Sequence, residues 1–409
     1  MTTGSQIRLG ACFASAVLIW GSVSNPSVAG ETPRTAAVDV NLLAANALIM
    51  TGTDMHVVDP AWIHLAVHNF IAPTIGLDYS GIPLETPEQF WPFTGPDDMF
   101  FDVSVADGTR ALEQAIATQR AQSGPTDDPT VVFGYSQSAV IATAAKRRLA
   151  DQAAGQTDPA AVSFVILANL NRPNGGINAR FAGAVLESLG WTFTDAAPTD
   201  TGYQTIDIAR QYDPFADFPT YPLNVIADAN AIVALLYGSH DYSGVTLNTA
   251  DPGYNPHTVV EQYGDTTYYF IPAATLPLLR PLRDLGLDPV ILDALEPAAR
   301  VLVEFGYDRS IPFGQPMPAQ LVDRTNLDQL NSDLAAAIEQ GRAILEARTA
   351  ALDQAPPVEA PPTRPAHDAV DAAGRRSNSK VTATQRPSRT AGRVTAPRSE
   401  PAPTSRPRR

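Results

Sequence analysis

The sequence predicts an α/β fold with a mostly parallel sheet flanked by helices, and three observations carry that prediction. Segments of strand and helix character alternate through the chain body, which is the pattern of a sheet layered with helices. Ala161-Val-Ser-Phe-Val-Ile-Leu-Ala168 is a continuous apolar run, as a parallel strand buried on both faces requires. Gly134-Tyr-Ser-Gln-Ser138 stands between the β-branched Thr130-Val-Val-Phe133 and the Ala-rich Ala139–Leu149, so a tight turn joins a strand to a helix there.

Taken in order, residues 1–29 read as a secretory signal or N-terminal anchor. Arg8 supplies the positive start, Ala11 to Val23 the apolar stretch, and Ser27-Val-Ala29 a cleavage site before Gly30. The expected location is therefore secreted or associated with the cell envelope. The only cysteine, Cys12, lies in this segment, so the exported chain is expected to hold no disulfide and to rely on its core. Leu9-Gly-Ala-Cys12 precedes the apolar stretch, whereas a lipoprotein box would follow it.

Val38 to Leu48 is Ala/Leu/Val-rich and runs through Ile49-Met50 into Thr51-Gly-Thr-Asp54, a strand ending in a small-residue turn. Trp62 to Asn69 reads as a short helix, and apolar Val105, Leu112 and Ile116 place a second helix over 102–122, stopped by Gly124-Pro125. The strand, turn and helix around Ser136 follow, then the apolar run at 161–168 and a turn, Asn171-Arg-Pro-Asn-Gly-Gly176. That turn is either structural or a substrate contact. Thr205-Ile-Asp-Ile-Ala209 is a strand leading to Asp213 and Asp217, and a helix over 223–237 leads to His240.

Thr266–Ile271 is a strand, and the Leu/Pro segment 276–282 is expected to cover the core. A helix over 288–305 is expected to break at Pro297. Residues 321–352 form a long Ala/Leu/Glu helix expected to extend from the domain. The Pro-, Ala-, Ser- and Arg-rich residues 355–409 cannot bury enough apolar surface to order themselves.

Composition narrows the function classes. At 44% hydrophobic and 17% charged, 409 residues make a globular chain with a sizeable core. The net charge is −15, but the segment from residue 355 carries 11 Lys and Arg against 4 Asp and Glu; it is thus +7, and the rest −22. An acidic body argues against a nucleic-acid partner. The basic tail reads as a solvated linker, with attachment to an anionic envelope as the alternative.

One constellation carries chemistry. A serine on a sharp strand-to-helix turn is held in a strained, exposed conformation suited to nucleophilic attack, and small flanking residues let strand and helix approach. Here the pattern is G-x-S-x-S, with Ser138 where glycine is usual. A serine hydroxyl is a weak nucleophile, so it needs an imidazole to take its proton and a carboxylate to orient that imidazole. Ser136, then Asp213 or Asp217, then His240 follow in the chain order of α/β-hydrolases. His257, in Asn-Pro-His, reads as a turn residue. The backbone N–H groups of the Thr51-Gly-Thr-Asp54 turn, together with that of Gln137, are the candidate oxyanion donors. His56, His64 and His68 match no metal-ligand spacing, and neither a metal nor a cofactor is expected.

Further motifs complete a family pattern: Thr86-Pro-Glu-Gln-Phe-Trp-Pro92, Asn171–Gly176, Tyr212-Asp-Pro-Phe-Ala-Asp-Phe-Pro219, His240-Asp-Tyr242, Thr266-Thr-Tyr-Tyr269, Leu276–Leu282 and Gly306-Tyr-Asp-Arg309. With Gly134–Ser138 and in this order, they resemble the PE-PPE domain of mycobacteria and related actinobacteria, over roughly residues 45–320. The resemblance implies a cutinase-like serine α/β-hydrolase with a Ser-Asp-His triad, carried here by Ser136, His240 and Asp213, with Asp217 as the alternative acid, and an oxyanion hole carried by Thr53 with Gln137. It also implies a lipid or acyl-ester substrate. The expected function is an exported esterase or lipase-like hydrolase; transfer of acyl chains between envelope glycolipids and non-catalytic envelope binding are the alternatives. The chain departs from the usual layout in having the signal segment where a PE or PPE module would stand.

Overall fold

The computed structural model describes residues 45–76, 79–122, 129–152, 158–321 and 327–353. The expected signal segment, Cys12 and the basic tail lie outside the described residues. In chain order the elements begin with β1 (Ala45–Ile49), α1 (Pro60–Leu65), a π-helical turn (Ala66–Ile71), α2 (Ala72–Ile75), β2 (Tyr79–Pro83) and α3 (Phe101–Gln122). Then come β3 (Thr130–Tyr135), α4 (Gln137–Asp151), β4 (Val162–Leu167), α5 (Ile177–Arg180) and a short antiparallel pair, β5 (Val185–Leu186) with β6 (Trp191–Thr192). The last third holds β7 (Thr205–Arg210), α6 (Val225–Leu236), β8 (Val259–Tyr263), β9 (Thr266–Ile271), α7 (Arg280–Asp284), α8 (Pro289–Glu304) and α9 (Leu327–Asp353).

Seven strands form one sheet in the order β2-β1-β3-β4-β7-β9-β8. All neighbours are parallel except β8, which pairs antiparallel with β9 at the edge. Successive side chains of a strand point to opposite faces, and the apolar runs use both. Ile49, Phe133, Val165 and Ile208 pack on one face with Phe70 and Ile71 of the π-helical turn. Leu48, Val132, Phe164 and Ile166 pack on the other with Leu112 and Ile116 of α3 and Ile141, Ala142 and Ala145 of α4. Double-sided burial is why these strands read as unbroken apolar runs. The Leu/Pro segment covers the core as expected, with Leu276 and Leu279 buried beside Ala227, Ala234 and Val303.

Two helices depart from expectation. Pro297 sits inside α8 without ending it. A proline there forfeits one backbone hydrogen bond, and the helix is held by Leu292, Ala294 and Val303, which are buried. The long C-terminal helix starts at Leu327 and does not project from the domain. It packs on α8 so closely that a Cβ on Gly341 would fall 2.1 Å from the Ala294 carbonyl oxygen. Its inward stripe of Leu330, Leu334, Ala337, Gly341 and Ile344 has the spacing of one helix face.

Among the described residues, five other than glycine adopt positive φ: Asp54, Glu88, Ser136, Ala168 and Tyr212. Four of them follow the carboxyl ends of β1, β3, β4 and β7, where ligands bind in open α/β sheets. Strained backbone of this kind persists only where surrounding contacts enforce it.

Candidate active site

Ser136 lies between β3 and α4 with φ 57° and ψ −113°. The turn is tight: a Cβ on Gly134 would lie 2.5 Å from the Ser138 carbonyl oxygen, so only glycine fits. Ser138 is buried, and its hydroxyl turns back into the elbow, accepting from the Tyr135 N–H at 2.8 Å and donating to the Tyr135 carbonyl at 3.1 Å. A serine therefore replaces the usual glycine by satisfying two backbone groups of the turn itself.

β7 delivers Asp213 and the end of α6 delivers His240. Nδ1 of His240 lies 2.9 and 3.0 Å from the two Asp213 carboxylate oxygens, and Nε2 lies 2.8 Å from the Ser136 hydroxyl. An ionised carboxylate only accepts, which places the ring proton on Nδ1 and leaves Nε2 to accept from Ser136. Asp213 is fully buried and also accepts from the Tyr242 hydroxyl at 2.8 Å and the Phe215 N–H at 2.9 Å. Burial by itself would raise this carboxyl. The neighbouring His240, the Phe215 N–H and the Tyr242 hydroxyl outweigh it and hold Asp213 below its ordinary value.

The imidazole is held on three sides. Tyr135 stacks on it at 5.5 Å and donates its hydroxyl to the His240 carbonyl at 2.6 Å. Phe215 meets it edge-on at 4.7 Å. Tyr242 is itself fixed because its oxygen accepts the Arg210 N–H at 2.8 Å. Neither tyrosine is marked as a site residue by the sequence: both flank motif residues, but their contacts span 105 and 29 positions and leave no local spacing signal.

Asp217 has a different partner. Its carboxylate pairs with Arg309 at 2.6 and 3.0 Å and accepts the Tyr212 N–H at 2.8 Å. It thus clamps the left-handed Tyr212 just before Asp213. Nor does it cap the next helix, a task that falls to Asn224, whose side chain accepts from Ile226 and Ala227. The Asn171–Gly176 turn buttresses the same loop: the Gly175 carbonyl accepts from Phe218 at 2.6 Å, and Ile177 donates to Phe215 at 2.9 Å. Of its two possible roles, the structural one accounts for these contacts.

On the other side of Ser136, Thr53 donates its hydroxyl to the Gln137 side-chain oxygen at 3.1 Å. Gln137 is the first residue of α4, where N–H groups have no intrahelical acceptor. Among the described residues neither the Thr53 nor the Gln137 N–H finds a protein acceptor. His257 is exposed, and its N–H closes a turn on Asn255. His64 stacks on His68, which pairs with Asp251 at 2.9 Å. Among the described residues no group of three or more His, Cys, Asp or Glu could hold a metal ion, and no helix is long and apolar enough to cross a membrane.

The PE-PPE domain profile matches residues 78–308. Esterase PE16 of Mycobacterium tuberculosis is 41% identical over 300 residues, covering 71% of this chain and 54% of that protein. SL1278 acyltransferase Chp1 of the same organism is 31% identical over 294 residues, covering 70% and 68%. A solved cutinase-like protein from Cryptococcus sp. aligns with a TM-score of 0.25 and 17% identity, over 43% of this chain and 78% of that one. The chain spans about half the length of such curated relatives as PE16.

Proposed function

This chain belongs to the PE-PPE domain family, and we propose that it is a serine esterase acting on fatty acyl esters. The observation that carries the proposal is the unbroken run of hydrogen bonds from Asp213 through His240 to Ser136, ending at a serine strained at φ 57°. As Ser136 Oγ attacks the ester carbonyl, His240 Nε2 takes its proton, and buried Asp213 holds the ring and its developing charge. The Thr53 and Gln137 N–H groups receive the oxyanion. His240 then returns the proton to the leaving alcohol, and water, activated by the same imidazole, releases the acid from the acyl-enzyme. The name of the esterase relative points the same way.

A second reading is acyl transfer, favoured by the 31% identity to a protein named as an acyltransferase. It requires only that a sugar hydroxyl replace water in the second half-reaction. Export, and attachment of the basic tail to the envelope, belong to the same proposal. A fluorophosphonate probe should label the wild type and not Ser136→Ala; an unlabelled wild type rejects the enzyme reading. Product analysis with trehalose or glycerol present separates the two reactions, since products of water alone count against transfer.

A further inference from the structure

Glu88 is a carboxyl group the proposed chemistry does not use. It has no solvent exposure, and its backbone is left-handed at φ 49°, a conformation uncommon for any residue with a Cβ. One carboxyl oxygen takes the Thr86 hydroxyl, and the other, Oε2, has no hydrogen-bond partner among the described residues. An ionised carboxylate buried with an unpartnered oxygen is costly. The group therefore sits in its neutral form, and burial pushes its pKa up to about 8 against the opposing Thr86 hydrogen bond.

Its neighbours in the chain hold both oxyanion candidates. The Glu88 carbonyl accepts the Asp54 N–H at 3.0 Å, which pins the turn carrying Thr53. The next carbonyl, of Gln89, accepts from the Gln137 side chain at 2.9 Å, while the Gln89 N–H donates to Ser104 Oγ at 3.1 Å. Gln137 in turn accepts from Thr53 and donates to Ser104 at 3.1 Å. The Asp54 N–H, next to Thr53, and the Gln137 side chain thus both bind one two-residue step of backbone, and the left-handed Glu88 bends that step.

We propose that Glu88 is a positioning residue: a buried, uncharged carboxylic acid whose left-handed backbone sets the Thr53 turn and the Gln137 side chain for oxyanion binding. Ionising it would place an uncompensated charge under that turn and release it. The groups that meet the loop are uncharged: Thr86 on its own stretch of chain, Ser104 and Gly108 of α3, and Gln137 of α4. Of the charged side chains on these segments, Asp54 pairs with His56, Glu85 is exposed, Asp102 accepts from Thr192, Asp107 pairs with Arg110, Lys146 pairs with Asp265 and Arg148 with Glu113. None of them contributes to the Glu88 shift.

This inference rests on the esterase reading, and the test separates the two. The full chain, its Glu88→Gln and its Glu88→Ala variants are assayed for p-nitrophenyl butyrate hydrolysis between pH 6 and 9.5. Hydrogen exchange of peptides covering 51–56 is followed in parallel, with intrinsic base catalysis divided out. The expected results are that Gln matches the wild type at pH 7 but lacks its loss of kcat above about pH 8, and that Ala lowers kcat about 10- to 100-fold with KM nearly unchanged. Exchange at 51–56 should rise above pH 8 in the wild type and not in Gln. Identical alkaline profiles and exchange for wild type and Gln, or wild-type kcat in a folded Ala variant, would overturn the proposal. If Ala does not fold, the wild-type and Gln comparison decides. A wild type without ester turnover or fluorophosphonate labelling defeats the esterase reading alone, because the exchange measurement still reads the loop.

Discussion

Two buried aspartates belong to the same stretch of chain, Asp207 within β7 and Asp213 just past its end, and they meet opposite kinds of partner. Asp207 is gripped by the Arg172 guanidinium and by Asn169 at 2.9 Å, and that guanidinium lies over the rings of Tyr268 and Phe313 at 5.0 and 4.7 Å. A guanidinium has donors only and no lone pair to take a proton, so this pair can only tie the turn after β4 to β7. Asp213 faces a histidine, whose ring nitrogens can both give and accept a proton. Burial is nearly complete for both. What separates scaffold from candidate machinery is therefore whether the partner can give up and regain a proton, not how deeply the carboxylate lies.

Substitutions should pull the two apart. Asp213→Asn leaves the imidazole without its orienting acceptor and is expected to lower kcat about 10⁴-fold while the protein stays folded, measured by steady-state ester hydrolysis with circular dichroism as the control. Asp207→Asn should do the reverse. It strands the Arg172 charge in the core and is expected to cost about 3–5 kcal/mol in urea unfolding, with kcat per folded molecule little changed. A comparable loss of kcat in both variants would dissolve the distinction.

Smaller effects sharpen it. Tyr242→Phe removes one donor from Asp213 and is expected to cost about 1–3 kcal/mol of stability, with a loss of kcat well short of that in Asp213→Asn. Glu88 supplies a pH test of the sign opposite to Asp213. Its folded pKa of about 8 stands above the ordinary 4.5, so its stabilising contribution is full below 4.5 and is lost as pH rises through 8. From pH 7 to 9 the wild type should lose about 1 kcal/mol relative to Glu88→Gln. Asp213, held below its ordinary value, contributes instead above the usual carboxylate range and loses that contribution as pH falls.

Legibility in the sequence followed the range of the interaction. Thr130–Tyr135 and Val162–Leu167 are readable as strands because burial on both faces favours a nearly continuous apolar run, and Thr266–Ile271 because it is β-branched and aromatic. At Pro297 the local rule that proline breaks a helix is outweighed by the packing of α8. The course of the last helix is hidden in the sequence for a related reason: its stripe of modest apolar residues acquires meaning only once Gly341 lets it settle on Ala294. Near Ser136 the chain order of serine, acid and histidine was visible, but Tyr135, Tyr242 and Glu88 were not. Their contacts join loops far apart in sequence, and a tyrosine or glutamate in a loop carries no periodic mark.

By itself, then, the sequence determined the alternation of strand and helix, the strained turn at Ser136 and the candidates on either side of it. These are properties of neighbouring residues and of backbone sterics. The tertiary structure decided which acid faces His240, because Asp213 and Asp217 share one loop and differ only in what the rest of the fold brings to them. His240 and Tyr242 arrive at one, Arg309 at the other. It also decided that a glutamate in the Thr86–Pro92 loop stands uncharged behind the Thr53 turn, since burial and the absence of a counter-charge are properties of the assembled core and not of the loop.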